Sequence, residues 1–298
     1  MSAIARRPEA DPLYTRPAPE RASYATGMLL DAQDFTDEQT YHRGRLARAL
    51  ALFGGGGTLG GLEVKHRPAQ GKKPEEIEVS AGAAIDRLGR LVELQRPACL
   101  RLQVWFDGEK QRDGGDTLQR ATLTDLGRFV SERVENAGGL PARAVVADVF
   151  VRFIACERGL TPSFASGPFD ALDAVAASRV RDAYELHLVP RDDGLDGNFS
   201  GLPSQGPDLV SIADLDARRA ALQDAMLAAY PKMTGDGKLE PPPGHPPELD
   251  PTAVFLARVL IPVNTSKPPG RTKDAPIVDN YSRRFIPTAE LLSRFVGG

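Results

Sequence analysis

Thirteen consecutive residues, Leu52–Val64, read LFGGGGTLGGLEV and carry six glycines. A regular helix does not cross such a run, because each interior glycine costs roughly 1 kcal/mol relative to alanine. The chain is divided here: a polar segment with helical spacing precedes the run, and short alternating segments follow it. Gly55, Gly57 and Gly60 also match G-x-G-x-x-G, the spacing that holds a dinucleotide pyrophosphate. That fingerprint needs a strand before it and a helix after it, so that the helix N-terminus aims its amides at phosphate. Here the order is reversed, and the negative end of the helix dipole faces the loop. The Lys-Ser or Lys-Thr of a phosphate loop is also missing after the last glycine. The run is predicted to be a helix C-cap and a tight turn, not a nucleotide cradle.

The segment feeding the glycines, GMLLDAQDFTDEQTYHRGRLARALALF, predicts a helix from about Asp37 to Leu52. Thr36 is the expected N-cap, with Gln39 three residues on as its capping-box partner. Asp37 and Glu38 fall in the first turn, and Arg43, Arg45 and Arg48 follow, as the dipole favours. Leu46, Leu50 and Phe53 recur at helical spacing and are expected to form the buried stripe. Met28, Leu29 and Leu30 precede the helix; they either staple it to a sheet or dock on a neighbouring subunit.

Alternation after the glycines predicts a β-meander: Leu62 and Val64, then Ile77 and Val79, Ile85, and Leu91 to Leu94 beyond a DRLGR turn. Further strands are expected at Cys99–Phe106, at Val145–Ile154, at 179–190 and at 252–264. Further helices are expected at about Thr117–Glu135, carrying Leu123, Leu126, Val130 and Val134, and at Ser211–Tyr230 with Ser211 as N-cap. Residues 157–178 are expected to be loop or short helix, and 190–210 a long loop. The fold class read from this order is α+β and β-dominated: short-strand sheets or a small barrel, about three helices, and extended arms. Its parts are an extended arm at 1–26, a helix plus β-meander module at 27–105, and a second β-rich module at 106–298. The last contains two helices, a Pro-rich linker at 236–251 and a C-terminal strand.

Proline (25) and glycine (29) are both above usual usage in these 298 residues, which favours turns and short strands over a helical bundle. The net charge of −3 comes from 37 basic and 40 acidic residues, well mixed, so nucleic-acid binding has no electrostatic footprint. No apolar run approaches the length of a membrane span. The N-terminal residues lack the apolar core of a secretory signal, which implies a cytoplasmic protein. Cys99 and Cys156 are too few for a disulfide framework and are expected to be buried free thiols.

Chemistry-bearing patterns are sparse. His42, His66, His187 and His245 show no i, i+4 pair and no H-E-x-x-H, and the two cysteines give no zinc spacing. There is no G-x-S-x-G elbow. Cys156 and His187 could form a dyad only if the fold joined them. Asp86 and Asp182 beside strands do not by themselves indicate acid–base work. No catalytic residue, metal or cofactor is expected.

One set of segments resembles a known family. GMLLDAQDF carries Gly27, Leu29, Leu30, Asp34 and Phe35; the helix carries Tyr41, His42 and Arg43; the next strand carries Gly61, Leu62 and Val64. The turn GAAIDRLGR carries Gly82, Ala84, Ile85, Asp86, Gly89 and Arg90, and SRVRDAYELHLV follows later. Together these are similar to proteins encoded with phage-tail-like contractile injection systems, over roughly residues 27–95 and 178–189. The chain departs from them at Gly54–Gly57, where family members carry bulkier residues. The resemblance implies a structural, baseplate-region subunit, present in several copies within a particle assembled in the cytoplasm of the producing cell, and no catalytic residues. Neighbouring subunits are the expected partners, with Arg6, Arg7, Tyr14, Met28, Leu29, Leu30 and Phe35 as candidate assembly contacts. The 236–251 linker is a further candidate contact, and strand addition a plausible mode of docking. A receptor- or glycan-binding accessory of such a particle is the alternative, with Trp105 as the one indole available for a sugar platform.

Overall fold

The first described element is already part of the body: a 3-10 helix at Pro12–Thr15 places Leu13 in the interior. The computed structural model describes residues 11–15, 17–162, 175–191, 209, 211–230, 232–235 and 237–297. Helix α1 spans Ala32–Gly54. It begins before the expected cap, because Asp31 and Asp34 satisfy the free amides first. Asp31 accepts from the amides of Gln33 and Asp34, and Asp34 accepts in return from the Asp31 amide. Thr36 is therefore inside the helix, its hydroxyl donating to the Ala32 carbonyl.

The expected meander is divided between two three-stranded sheets. Strands β1 (Gly57–Gly61), β4 (Gly82–Ile85) and β5 (Leu91–Leu94) form one; β2 (Val64–Arg67), β3 (Glu76–Val79) and β6 (Ala98–Arg101) form the other. The chain changes sheet at Leu62, which takes φ +54° while its amide donates to the Ala81 carbonyl. Residues expected to extend a strand to Phe106 instead form helix α2, Leu102–Arg112. The sequence Leu102-Val104-Phe106 alternates like a strand, but Leu102 and Phe106 are buried one helical turn apart and Val104 is exposed.

The long helix expected at 117–135 is broken into α3 (Asp116–Arg120), strand β7 (Thr122–Leu123), a 3-10 turn (Gly127–Phe129) and α4 (Glu132–Ala137). Its apolar residues still face inward, with Leu126 and Val130 packing on Ala144, Val146 and Leu260, and Leu123 and Val134 at the margin. Pairing of Thr122 and Leu123 with Val145 and Ala144 outweighs continuation of the helix.

The main sheet is built on β8 (Ala144–Pro162), β9 (Val175–Pro190), β10 (Val254–Pro262) and β11 (Ile277–Asp279), in the order β11-β10-β8-β7, with β9 also paired to β8. All named pairs are antiparallel. Helices α5 (Leu215–Ala228) and α6 (Ala289–Gly297) lie between and after these strands. Helix α5 is capped by Asp214, whose carboxylate accepts from the Ala217 amide, and not by Ser211. The fold is β-rich α+β with six α-helices and eleven strands among the described residues, and none of these sheets closes into a barrel. One apolar core joins Leu62, Val64, Ile77, Val79 and Val92 to Phe106, Val149, Phe153, Leu256 and Ile261, so the segments before and after residue 105 share it.

A buried charge cluster ties the main sheet together. Asp148 on β8 stands opposite Arg258 on β10 and accepts from its Nε (2.7 Å) and Nη2 (2.9 Å), while Arg191 binds the same carboxylate. Arg258 also donates to the Phe129 carbonyl, and Arg191 to the Gly244 carbonyl.

Candidate interaction surfaces

The glycine run ends α1 as expected: Gly55 takes φ +63° and its amide donates to the Ala51 carbonyl. Its further role is to let another backbone cross. Thr58 donates to the Arg284 carbonyl (2.9 Å) and accepts from the Ile286 amide (2.8 Å). A Cβ on Gly57 would stand 2.8 Å from that Arg284 oxygen, and one on Gly55 would meet the Arg284 guanidinium. The loop lines a crevice of about 640 Å³ with Arg87, Lys232, His245 and Arg284. Arg87 there donates to the carbonyls of Glu240 and Pro251, while burial lowers the His245 pKa.

The Asp86–Arg90 turn is a structural junction. Asp86 accepts from the amides of Leu88 and Arg90 and from Arg90 Nε (2.7 Å). Arg90 reaches on to Asp11 (3.1 Å) and Thr252 (2.9 Å), and its guanidinium lies against the rings of Tyr14 and Phe153. Burial pulls the Arg90 pKa down, but Asp86, joined by the Tyr14 phenol, overrides it and holds the guanidinium above its ordinary range. Gly89, at φ +87°, lies under α1; a Cβ there would be 1.6 Å from the Ala47 carbonyl oxygen.

This junction accounts for one expected assembly contact. The Tyr14 hydroxyl donates to Asp250, and burial together with Asp250 raises its pKa despite the opposing Arg90 charge. Tyr14 is thus turned into its own subunit. Arg6 and Arg7 lie outside the described residues. The Pro-rich 236–251 segment is anchored to the body through its described residues: Leu239 is buried, the Glu240 and Pro251 carbonyls accept from Arg87, and the Gly244 carbonyl accepts from Arg191.

The remaining expected contacts face solvent. Met28 and Leu30 are exposed, Leu29 is 94% exposed and Phe35 is 51% exposed. They continue onto an outer face of α1 that the sequence pattern placed in the core. Leu46 is 63% exposed and Phe53 95% exposed, Leu50 is half-buried, and Ala47 alone of the helix residues is buried. The reason is close packing on the opposite side: Gly44 sits against Leu13, and the Ala47 and Ala51 backbone sits against Gly89. Small residues face inward because the helix backbone approaches the turn, leaving the large apolar side chains on the far side. Phe35, Gln39, His42, Leu46, Ala49 and Phe53 all face outward at alternating four- and three-residue spacing after Gln39, the seam geometry of a helix that packs on another helix. Helix α6 similarly exposes Leu291, Leu292 and Phe295, and α5 exposes Leu215, Met226 and Leu227. A groove of about 360 Å³ runs beside α1, between its Tyr41–Arg48 side and residues 17–22.

Several groups considered for chemistry are kept apart. Cys156 pairs across with Arg181 and Phe150 with His187, which separates the thiol and imidazole by six strand positions, about 20 Å. Cys99 is exposed, not buried. Among the described residues no group of three or more His, Cys, Asp or Glu is placed to hold a metal ion, and no helix is long and apolar enough to cross a membrane. Trp105 points its indole N–H at the Leu188 carbonyl (2.7 Å) and packs on the core. His66 contacts Glu75 (2.8 Å), whose carboxyl is held below its ordinary range by Arg271 first and then by His66.

Comparison of the chain with protein-family models and with curated proteins yields no match.

Proposed function

We propose that the chain is a structural, non-catalytic subunit of a phage-tail-like contractile injection system, located in the baseplate region and present in several copies. It would assemble in the cytoplasm of the producing cell by binding neighbouring subunits. The observation that carries this reading is the outer face of α1, where Leu29, Phe35, Leu46 and Phe53 are presented to solvent together. Burying one such side chain yields about 1.5–3 kcal/mol, so this face represents several kcal/mol of association free energy. Large apolar side chains exposed along one helix face, here interrupted by Gln39 and His42, support a docking surface for another protein. The segment resemblance described above supplies the kind of particle; the surface supplies the manner of joining it. Replacement of Leu46 and Phe53 together by glutamate, expressed in a producing cell, is expected to give a folded subunit that is missing from purified particles. Normal incorporation of that variant would overturn the proposal.

A further inference from the structure

Beyond Val151, β8 loses its β10 neighbour and continues only with β9, as a two-stranded ribbon. A ribbon without a third strand is marginal by itself. Its register is unbroken from Arg152↔Glu185 to Pro162↔Val175. Side chains of directly opposed residues share a face, so Arg158 and Arg179 stand beside one another, with Arg181 one step along, opposite Cys156. All three arginines are exposed, and none has an acidic partner among the described residues. Like charges placed directly opposite in a sheet are unfavourable. The face is left with a concentration of positive charge that an anionic surface would neutralise.

The same chain presents such a surface elsewhere. Asp31, Asp34, Asp37 and Glu38 occupy the start of α1 within eight residues. Their bonds are to backbone amides, to the Gln33 amide and to the Tyr24 hydroxyl; the His42 imidazole stands 3.9 Å from Glu38, and none is paired with a lysine or arginine among the described residues. Two poles of opposite sign on different elements give one copy of the chain charge complementarity to another, and such unlike patches can meet either twice across a two-fold axis or once, head to tail. We infer that the arginine face of the β8–β9 ribbon of one copy binds the acidic start of α1 on a second copy. Made twice across a two-fold axis the contact closes as a dimer; made once per interface it closes into a ring or runs on as a filament. The inference does not depend on which particle the subunit serves.

The test uses the full chain in sedimentation velocity, with three proteins. The first is wild type; the second carries Arg158→Glu, Arg179→Glu and Arg181→Glu; the third carries Asp37→Lys and Glu38→Lys, which spares the Asp31–Asp34 cap. Wild type is expected to self-associate. Raising the salt from about 0.1 M to about 1 M shortens the Debye length from about 10 Å to about 3 Å and should weaken association at least tenfold. Each variant alone should be monomeric, with unchanged circular dichroism and unfolding midpoint. An equimolar mixture should associate again, because each variant then offers the charge the other has reversed. Wild type that stays monomeric at low salt would overturn the inference, as would variants that associate like wild type or a mixture that does not recover. Retardation of duplex DNA by wild type, lost in the arginine variant and unaccompanied by self-association, would overturn it in favour of nucleic acid.

Discussion

Replacing Asp148 by asparagine removes a carboxylate that binds both Arg258 and Arg191 inside the main sheet. Asp148 and Arg258 have no exposed side-chain surface, and Arg191 has almost none. The carbonyls of Phe129 and Gly244 would still accept one bond from each guanidinium, and Asp279 would still face Arg258 across β10–β11. Two buried cations would nevertheless lose their shared counter-charge. Breaking a buried pair by removing one partner costs about 3–5 kcal/mol, a large share of a total stability of about 5–15 kcal/mol. Urea unfolding followed by circular dichroism at pH 7 should show that loss. Acid adds a second readout. Burial by itself raises the Asp148 pKa, but Arg258, joined by Arg191, overrides it and holds the carboxyl below its ordinary range. The folded state therefore holds this proton less tightly than the unfolded chain does. The contribution is fully present above the unfolded value of about 4 and is lost as pH falls through the native pKa. The wild type should lose stability in that acid window, and the Asp148→Asn protein should lack this part of the slope. A cost under about 1 kcal/mol, together with an unchanged acid limb, would refute the reasoning.

Three further outcomes follow from the same structure. Gly89→Ala places a methyl group into the Ala47 carbonyl at a positive φ, so it should lower stability by more than about 2 kcal/mol; an unchanged melting temperature would contradict the packing of α1 on this turn. Removal of residues 1–22 takes away Asp11, Leu13 and Tyr14 and should cost about 2–4 kcal/mol in urea unfolding; an unchanged midpoint would contradict their packing on the body. Phe53→Ser should change stability by less than about 0.5 kcal/mol, because the ring is in solvent; a loss of several kcal/mol, the size seen for core aromatics, would show that the ring is packed.

Some of this fold was legible in the residues because a local rule was decisive. The Ile85–Arg90 turn was readable since Asp86, Gly89 and Arg90 each have a fixed task in it. The Val145–Ile154 part of β8 and strand β10 were readable from β-branched runs buried on both faces, whereas 157–162 and 175–178, expected as loop or short helix, are the outer ends of β8 and β9, where only cross-strand pairing holds the chain extended. The glycine run was readable as a helix end, but its crossing with Arg284–Ile286 depends on a contact more than two hundred residues away. Helix α2 was misread because Leu102, Val104 and Phe106 fit two periods at once, and only packing chooses between them. Of the stripe expected on α1, Leu46 and Phe53 face outward and Leu50 is half-buried: periodicity identifies a face, not its neighbour, and Gly44, Ala47 and Ala51 take the inner position because the Gly89 turn comes so close. Of the expected contacts, Met28, Leu29, Leu30 and Phe35 face outward, whereas Tyr14 is claimed by Asp250 and Arg90, partners that no local pattern reveals.

The most direct test of the proposed role is incorporation. Particles purified from cells carrying wild-type or Leu46→Glu/Phe53→Glu chain would be compared by quantitative mass spectrometry, after confirming that both proteins unfold at the same midpoint. The account predicts a stoichiometric wild-type subunit and loss of the variant from particles while it remains folded and soluble. Equal amounts of the two proteins in the particle, or absence of the wild-type chain from any such particle, would contradict it.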